Sequence, residues 1–313
     1  MSDATSVLRM GTRGSMLARA QSGLVARELE RLHPGLRVEI TIIKTSGDTI
    51  QDRPLHEFGG KGLFTKEIEQ ALLDERIDFA VHSFKDVPVT MPLVEQADLI
   101  IAAVPQREDP RDLLVCEKAT SLTALAQGAR VGTGSLRRRC QILAMRPDLV
   151  VEPVRGNIDT RVRKLREGEY DAVVLATAGT KRGGIFDAGF MHPIDSAELL
   201  PASGQGALAL QSRRSDARTR KLLAAMNDAT TQACVEAERE LVRLLEGDCH
   251  SPIAALAETG EAGLTLRAVV GGRGGEAPVI KGAASGALAQ PTTLSRHVFD
   301  LLQRQNVRTL LHG

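Results

Sequence analysis

The sequence of 313 residues contains no tryptophan, one tyrosine and seven phenylalanines. Eight aromatic rings are too few for a row of base-stacking platforms, which argues against sequence-tolerant single-strand nucleic-acid binding. Net charge is nearly absent as well. Forty Lys and Arg stand against 39 Asp and Glu, a balance of +1, so no whole-surface attraction to DNA or anionic lipid is available. Long apolar runs are also missing: the longest purely aliphatic stretch, Leu99 to Val104, is far shorter than the roughly 20 residues of a membrane span. The opening Met-Ser-Asp-Ala-Thr-Ser carries neither a basic n-region nor an apolar h-region, so no secretory signal is expected and the cytoplasm is the expected compartment. Cys116, Cys140, Cys234 and Cys249 form no C-x-x-C pair, and the seven histidines form no H-E-x-x-H or H-x-E pattern. Reduced thiols and no metal are expected.

What is present reads as ordinary globular composition, long enough for two domains and a small third. Residues 7–12 read as a strand. Leu17, Gln21, Leu24, Val25, Leu29 and Leu32 recur at helical spacing until His33-Pro34-Gly35. A second strand over 36–44 places Val38, Ile40 and Ile42 on one face. A helix from about Phe64 to Glu75 then leads into a strand over 77–81. A polar segment, Pro105 to Asp112, reads as a linker unable to pack a core. Beyond it comes a second α/β series: strand 130–133, helix 135–145, strand 149–154, helix 157–166 and strand 172–176.

The stretch Leu200 to Ala207 reads as a second crossing back to the first unit, and two crossings imply a hinge over a ligand cleft. From about residue 227 the pattern changes. A helix puts Cys234, Glu238, Leu241 and Leu245 on one stripe, a hairpin follows between 264 and 280, and a last helix starts near Leu294. The expected domains are therefore 1–105 with 200–226, 106–199, and an α+β unit at 227–313 that carries Cys249.

Three constellations can carry chemistry. Between Arg137 and Arg166 nine basic residues face three acids, so the neutral chain holds a local +6. Arg137 and Arg138 follow Gly132-Thr-Gly-Ser135 at a helix start, where free N–H groups and the helix dipole favour anions. Arg155 and Arg161 flank Gly156-Asn157 at the next helix start, and guanidinium forks match carboxylates or phosphates. Arg139, Arg163 and Arg166 read equally well as a solvated face. Second, His82-Ser-Phe-Lys-Asp-Val-Pro88 follows a strand. Ser83 and Asp86 fit a capping box, but Pro88 stops a helix there, and a Lys85–Asp86 pair at a strand end can hold an anion and move protons. His82 reads as a packed residue. Third, Cys249 lies between Asp248 and His250 in a polar loop, no place for a buried structural thiol.

As an ordered set these motifs resemble the porphobilinogen deaminase (hydroxymethylbilane synthase) family. They are Gly11-Thr-Arg-Gly-Ser15, Gly59-Gly-Lys-Gly-Leu-Phe64, His82 to Pro88, Arg107-Glu-Asp-Pro-Arg-Asp112, Gly132 to Arg138, Arg155-Gly-Asn157, Leu200 to Gly206 and Leu245-Glu-Gly-Asp-Cys249. The resemblance implies a deaminating transferase. It would join four molecules of porphobilinogen head to tail into 1-hydroxymethylbilane on a dipyrromethane primer, held by a thioether to Cys249. It implies a monomer with a small-molecule substrate and no nucleic-acid or membrane partner.

By position, Asp86 is implied as the acid/base, with Lys85 beside it. Ser83, Lys85, Asp48, Thr133, Ser135, Arg137, Arg138 and Gln205 are implied as cofactor contacts. Arg13, Ser15, Lys61, Phe64, Arg155, Gly156, Arg161 and Arg182 are implied as substrate contacts, with Lys61 and Phe64 ending a Gly-rich lid. Phe84, Gly134 and Asp248 depart from common family residues. The expected fold is two periplasmic-binding-protein-like α/β domains joined by two hinge crossings, plus the small α+β domain. The same architecture serves solute-binding modules that catalyse nothing, and a covalent adduct on Cys249 separates the two readings.

Overall fold

In the computed structural model, residues 6–46, 62, 65–89, 98–248, 250–261 and 263–312 are described. In chain order the elements are β1 (Ser6–Thr12), α1 (Met16–Leu32), β2 (Leu36–Ile42), α2 (Lys66–Leu73), β3 (Phe79–Ser83), β4 (Leu99–Ala103) and β5 (Asp112–Val115). Next come β6 (Arg130–Gly132), α3 (Leu136–Met145), β7 (Val150–Glu152), α4 (Ile158–Arg166), β8 (Ala172–Ala176), α5 (Thr177–Arg182) and β9 (Met191–Pro193). The chain closes with β10 (Leu208–Arg213), α6 (Ala217–Ala224), α7 (Ala229–Leu244), β11 (Ile253–Gly260), β12 (Gly263–Val270), β13 (Ile280–Gly286), α8 (Pro291–Gln303) and α9 (Val307–His312). Two compact units result, Met1–Arg107 with Ala207–Gln232, and Glu108–Gly206 with Ala233–Gly313.

In the first unit the sheet order is β2-β1-β3-β10-β4. β1 runs parallel to β2 and β3, and β10 runs antiparallel to β3 and β4. Ser15 starts α1 by accepting the Ala18 N–H at 3.3 Å, and the helix stops at His33 before Gly35, whose φ of 84° suits glycine. Val25, Ala26 and Leu29 of α1 pack with Leu8, Met10, Phe79, Val81 and Leu210 to form the core. Of the three residues expected on one face of β2, only Val38 is buried. Ile40 and Ile42 are 44% and 54% exposed, because β2 is the edge strand of the sheet. The strand expected over 77–81 is β3, two residues later, since Ile77 packs on α2 rather than joining the ladder.

The second unit repeats the pattern in the order β7-β6-β8-β5-β9. β6 is parallel to β7 and β8, while β5 is antiparallel to β8 and β9. Its core gathers Leu114, Val131, Ile142, Val151, Val174 and Leu199. A three-stranded antiparallel sheet, β11-β12-β13, is covered by α8, and Leu200, Ala254, Leu256 and Val269 pack together.

One sequence expectation is overturned here. Asp112 is no linker residue: it opens β5 and is fully buried. The residues after it, Leu113, Leu114 and Val115, are completely buried too, so the apolar run that makes a central strand begins directly after the carboxylate. β9 and β11 were also not expected from periodicity, because neither alternates in hydrophobicity. Among the described residues no helix is long and apolar enough to cross a membrane.

Candidate active site

In the first unit, parallel pairing of β1 with β3 brings the ends of both strands to one edge of the sheet, the edge where ligands of α/β folds gather. After β1 come Arg13 and Ser15, both half-buried. After β3 comes a single 3-10 turn, Phe84–Asp86. The capping box does not form. Ser83 makes no cap bond and instead shares hydrogen bonds with the Gln21 amide of α1, at 3.1 and 3.2 Å. Lys85 and Asp86 are thereby left half-buried on a turn anchored at Phe84, whose N–H donates to the Ala207 carbonyl at 3.0 Å. The Asp86 carboxylate makes no hydrogen bond or ion pair to another described residue.

His82 sits in the core, as its packed reading expected. Its Nε2 lies 2.9 Å from Gln211 Oε1, and Gln211 donates onward to Glu69 at 3.0 Å. Burial pushes the imidazole down to about 4; the Gln211 bond opposes this and the charge of Arg13 adds to it.

In the second unit three parallel strands, β7, β6 and β8, end at one edge, and three turns follow them. After β6, Thr133 accepts the Ser135 N–H at 3.2 Å, and Ser135 caps α3 by accepting the Arg138 N–H. After β7, Asn157 is the N-cap position of α4, and Arg161 donates from Nε to the Gly156 carbonyl at 2.8 Å. Gly156 has a φ of 104°, and a Cβ there would overlap the Thr160 side chain. After β8, α5 ends in Arg182, which donates to the Gly206 carbonyl at 2.9 Å. The residues expected at these turns, Thr133, Ser135, Arg137, Arg138, Arg155, Gly156, Arg161 and Arg182, therefore share one edge.

The local +6 is not an open basic face. Arg137 and Arg138 are buried, at 4% and 6% exposure, and both grip Asp112. Arg137 donates to both Asp112 oxygens at 2.6 and 3.2 Å and to the Leu200 carbonyl at 2.7 Å. Arg138 donates to Asp112 Oδ1 at 3.1 and 2.8 Å and to the Val174 carbonyl at 2.7 Å. Gln205 completes the cluster, donating to Asp112 Oδ1 at 2.9 Å and to the Pro110 carbonyl at 2.7 Å. Burial works against the Asp112 charge, but the two guanidiniums outweigh it and hold the carboxyl far below the usual range.

Elsewhere Arg146 pairs with Asp148, Arg163 with Glu167 and Lys164 with Glu169, while Arg166 lies over the Phe190 ring. Charge does accumulate around Arg161. Burial first, then the nearby charges of Arg138 and Arg155, lower its guanidinium to about 10. Cations from two successive turns thus bear on Arg161, and guanidiniums gathered in this way suit an anionic ligand.

Asp48, Lys61, Phe64 and Cys249 lie outside the described residues. The loop around position 249 is organised by Asp248. Its Oδ1 accepts the N–H groups of His250 and Ser251 and the Ser251 hydroxyl, each at 2.9 Å. Burial opposes the Asp248 charge, but these bonds and the nearby His250 leave its carboxyl below the ordinary range. Cys116, Cys140 and Cys234 are buried, and none of the three forms a disulfide.

Two family models cover nearly the whole chain: "Porphobilinogen deaminase, dipyromethane cofactor binding domain" over residues 8–221, and "Porphobilinogen deaminase, C-terminal domain" over 232–303. The chain belongs to the porphobilinogen deaminase family. The porphobilinogen deaminase of Syntrophobacter fumaroxidans is 47% identical over 305 residues, 97% of each sequence. That of Acidithiobacillus ferrooxidans is 51% identical over 263 residues, 84% of each. A periplasmic substrate-binding protein of an ABC transporter from Coxiella burnetii is similar, with a TM-score of 0.41 and 16% identity over 72% of this chain and 94% of that one.

Porphobilinogen deaminase membership makes this protein an enzyme, a deaminating transferase of tetrapyrrole synthesis with a dipyrromethane-cofactor-binding domain, and it decides against the binding module that catalyses nothing. Sequence reasoning missed Asp112, which holds the arginine pair of this deaminase. Its signal was available: a carboxylate placed directly before an apolar run, with a double arginine further on.

Proposed function

We propose that the protein joins four porphobilinogen molecules head to tail, releasing one ammonia at each addition, into 1-hydroxymethylbilane on a dipyrromethane bound by thioether to Cys249, and that it works as a cytoplasmic monomer. The observation that carries this reading is the gathering of Arg137, Arg138, Arg155 and Arg161 at the two helix starts after β6 and β7, beside the capped hydroxyls of Thr133 and Ser135. Each pyrrole ring of substrate and cofactor bears an acetate and a propionate, so a polycarboxylate is the ligand that such a cluster is built to receive. The residues present fit the cofactor. Capped turns offer hydroxyls at Thr133 and Ser135, and the guanidiniums of Arg137 and Arg138 are fixed by Asp112. With Lys85, Ser83, Asp48 and Gln205 these residues hold its carboxylates and rings. When bound, the cofactor supplies the nucleophilic pyrrole carbon to which the first substrate is joined.

Arg13, Ser15, Lys61, Phe64, Arg155, Gly156, Arg161 and Arg182 receive the incoming substrate and the elongating chain. Asp86 supplies the proton chemistry. In its acid form it gives a proton to the aminomethyl nitrogen, which departs as ammonia. The resulting carboxylate stabilises the cationic carbon left on the substrate and accepts the ring proton lost after the new bond forms, so the proton count closes at each cycle. Lys85 fastens a substrate or cofactor carboxylate beside it.

Asp86→Asn tests this role, since the amide keeps size and hydrogen bonding but moves no proton. We expect an unchanged circular dichroism spectrum and a rate of ammonia release lowered by at least about two orders of magnitude, the scale of general acid–base catalysis. Turnover near the wild-type rate removes Asp86 from the chemistry.

A further inference from the structure

The buried carboxylate of Glu238 lies outside the chemistry described so far. It sits on α7, is completely inaccessible, and spends its two oxygens on two different segments. Oε2 accepts the N–H of Gly204 at 2.6 Å, in the crossing segment that follows Leu200. Oε1 accepts the N–H of Ala257 at 2.9 Å, in the middle of β11. A fully buried carboxylate costs several kcal/mol in lost hydration. One side chain thus pins two backbone segments far apart in sequence, at Gly204 and Ala257, to the same helix.

Both partners are informative. α7 and β11 are the elements on either side of the loop that carries Cys249, one ending at Leu244 and the other starting at Ile253. Gly204 directly precedes Gln205, whose side chain donates to Asp112, and Asp112 in turn fixes Arg137 and Arg138. One continuous set of hydrogen bonds therefore runs from the two elements framing the tether loop, through Glu238, Gly204 and Gln205, to the arginine pair. Gly271 and Gly275 add a second contact in the same direction: a Cβ on Gly271 would overlap Cys140 of α3, and one on Gly275 would sit 3.1 Å from the Leu136 backbone. The β12–β13 connection thus lies against the same helix that carries both arginines.

We propose that Glu238 is a positioning residue that locks the elements framing the cofactor's anchor in register with the arginines that grip its carboxylates. This rests on the reading of Cys249 as the tether and of Arg137 and Arg138 as cofactor contacts. A primer fixed at one end by a covalent bond and at the other by guanidinium forks is held productively only if the distance between the two ends is constant, and Glu238 is the group that ties those ends together.

The test uses the cofactor-free protein, incubated with porphobilinogen and followed by intact mass, beside thermal unfolding of the same samples. Glu238→Gln keeps the shape but replaces one acceptor with an amide donor facing an N–H; Glu238→Asp keeps the charge on a shorter arm. In wild type, the mass of a dipyrromethane adduct grows in. For both variants we expect folded protein with circular dichroism like wild type, adduct formation slowed at least tenfold, and kcat of the loaded fraction lowered with KM for porphobilinogen unchanged. A merely structural role lowers the unfolding temperature and leaves loading rate and kcat per folded molecule at wild-type values, which overturns the proposal. Failure of both variants to fold does the same, since it makes Glu238 a stability residue. If wild type itself forms no adduct, the tether reading fails first, and that outcome is distinguishable from a variant-specific loss.

Discussion

The two five-stranded sheets have the same order and sense of strands, yet they bury opposite kinds of polar group in the fourth strand. In each, the second strand has a parallel neighbour on both sides, and the fourth runs antiparallel to both of its neighbours. The fourth strand is in both cases the one that follows a crossing segment: β10 after residues 200–207, β5 after residues 105–111. β10 contributes Gln211, a neutral amide linking His82 and Glu69. β5 contributes Asp112, a charge linking two arginines. In the first unit the buried polar groups support a turn that presents Lys85 and Asp86. In the second they fix Arg137 and Arg138. On the proposed reading, one architecture is divided between proton chemistry and carboxylate binding by what its fourth strand carries.

Removing the fourth-strand group in each sheet gives the largest difference in stability. Asp112→Ala leaves two buried guanidiniums without their counter-charge and should cost about 3–5 kcal/mol in urea denaturation. Gln211→Ala removes an uncharged amide between His82 and the Glu69 carboxyl and should cost about 1–3 kcal/mol. Equal losses would abolish the distinction between a charged and a neutral junction.

Acid separates the sheets next. Because burial holds His82 at about 4 in the folded chain against 6.5 ordinarily, the unfolded chain takes up a proton between those values that the folded chain refuses. The stability that depends on neutral His82 is complete above pH 6.5 and falls as pH drops toward 4, by roughly 3 kcal/mol at about 1.4 kcal/mol per pKa unit. Asp112, held far below its ordinary 3.8, behaves otherwise: its contribution is intact above that pH and disappears only in stronger acid. Urea midpoints between pH 7 and 4 should therefore fall in wild type and flatten in His82→Gln. An unchanged slope in that variant would assign the acid sensitivity elsewhere.

The smallest effect is expected where the sheets are most alike. Ser15 and Ser135 cap the helices after β1 and β6 in the same way. Ser15→Ala and Ser135→Ala should each cost about 1 kcal/mol. A loss several times larger at either would show that its hydroxyl does more than cap.

Much of this was legible in the sequence, and the reasons differ by element. The strand–turn–helix starts at Gly11–Ser15 and Gly132–Ser135 announce themselves by glycine, a capping serine and helical spacing, all local signals. β5 and β11 carry no such period, because both faces of β5 and the first half of β11 are buried. Asp112 was assigned to a linker because its neighbours are polar, and only long-range pairing, 25 and 26 residues away at Arg137 and Arg138, reveals its place. The charge count between Arg137 and Arg166 pointed to one edge of the sheet but overstated how open it is, since a count along the chain ignores partners brought from other strands. Glu238 appeared merely as a polar position on an apolar stripe.

The most direct test of the account is the intact mass of the purified protein, before and after incubation with porphobilinogen. The account predicts a mass above that of the bare chain by one dipyrromethane, absent in Cys249→Ser, and after incubation a ladder of heavier species spaced by one ring each. A mass equal to the bare chain that stays unchanged with porphobilinogen would contradict it.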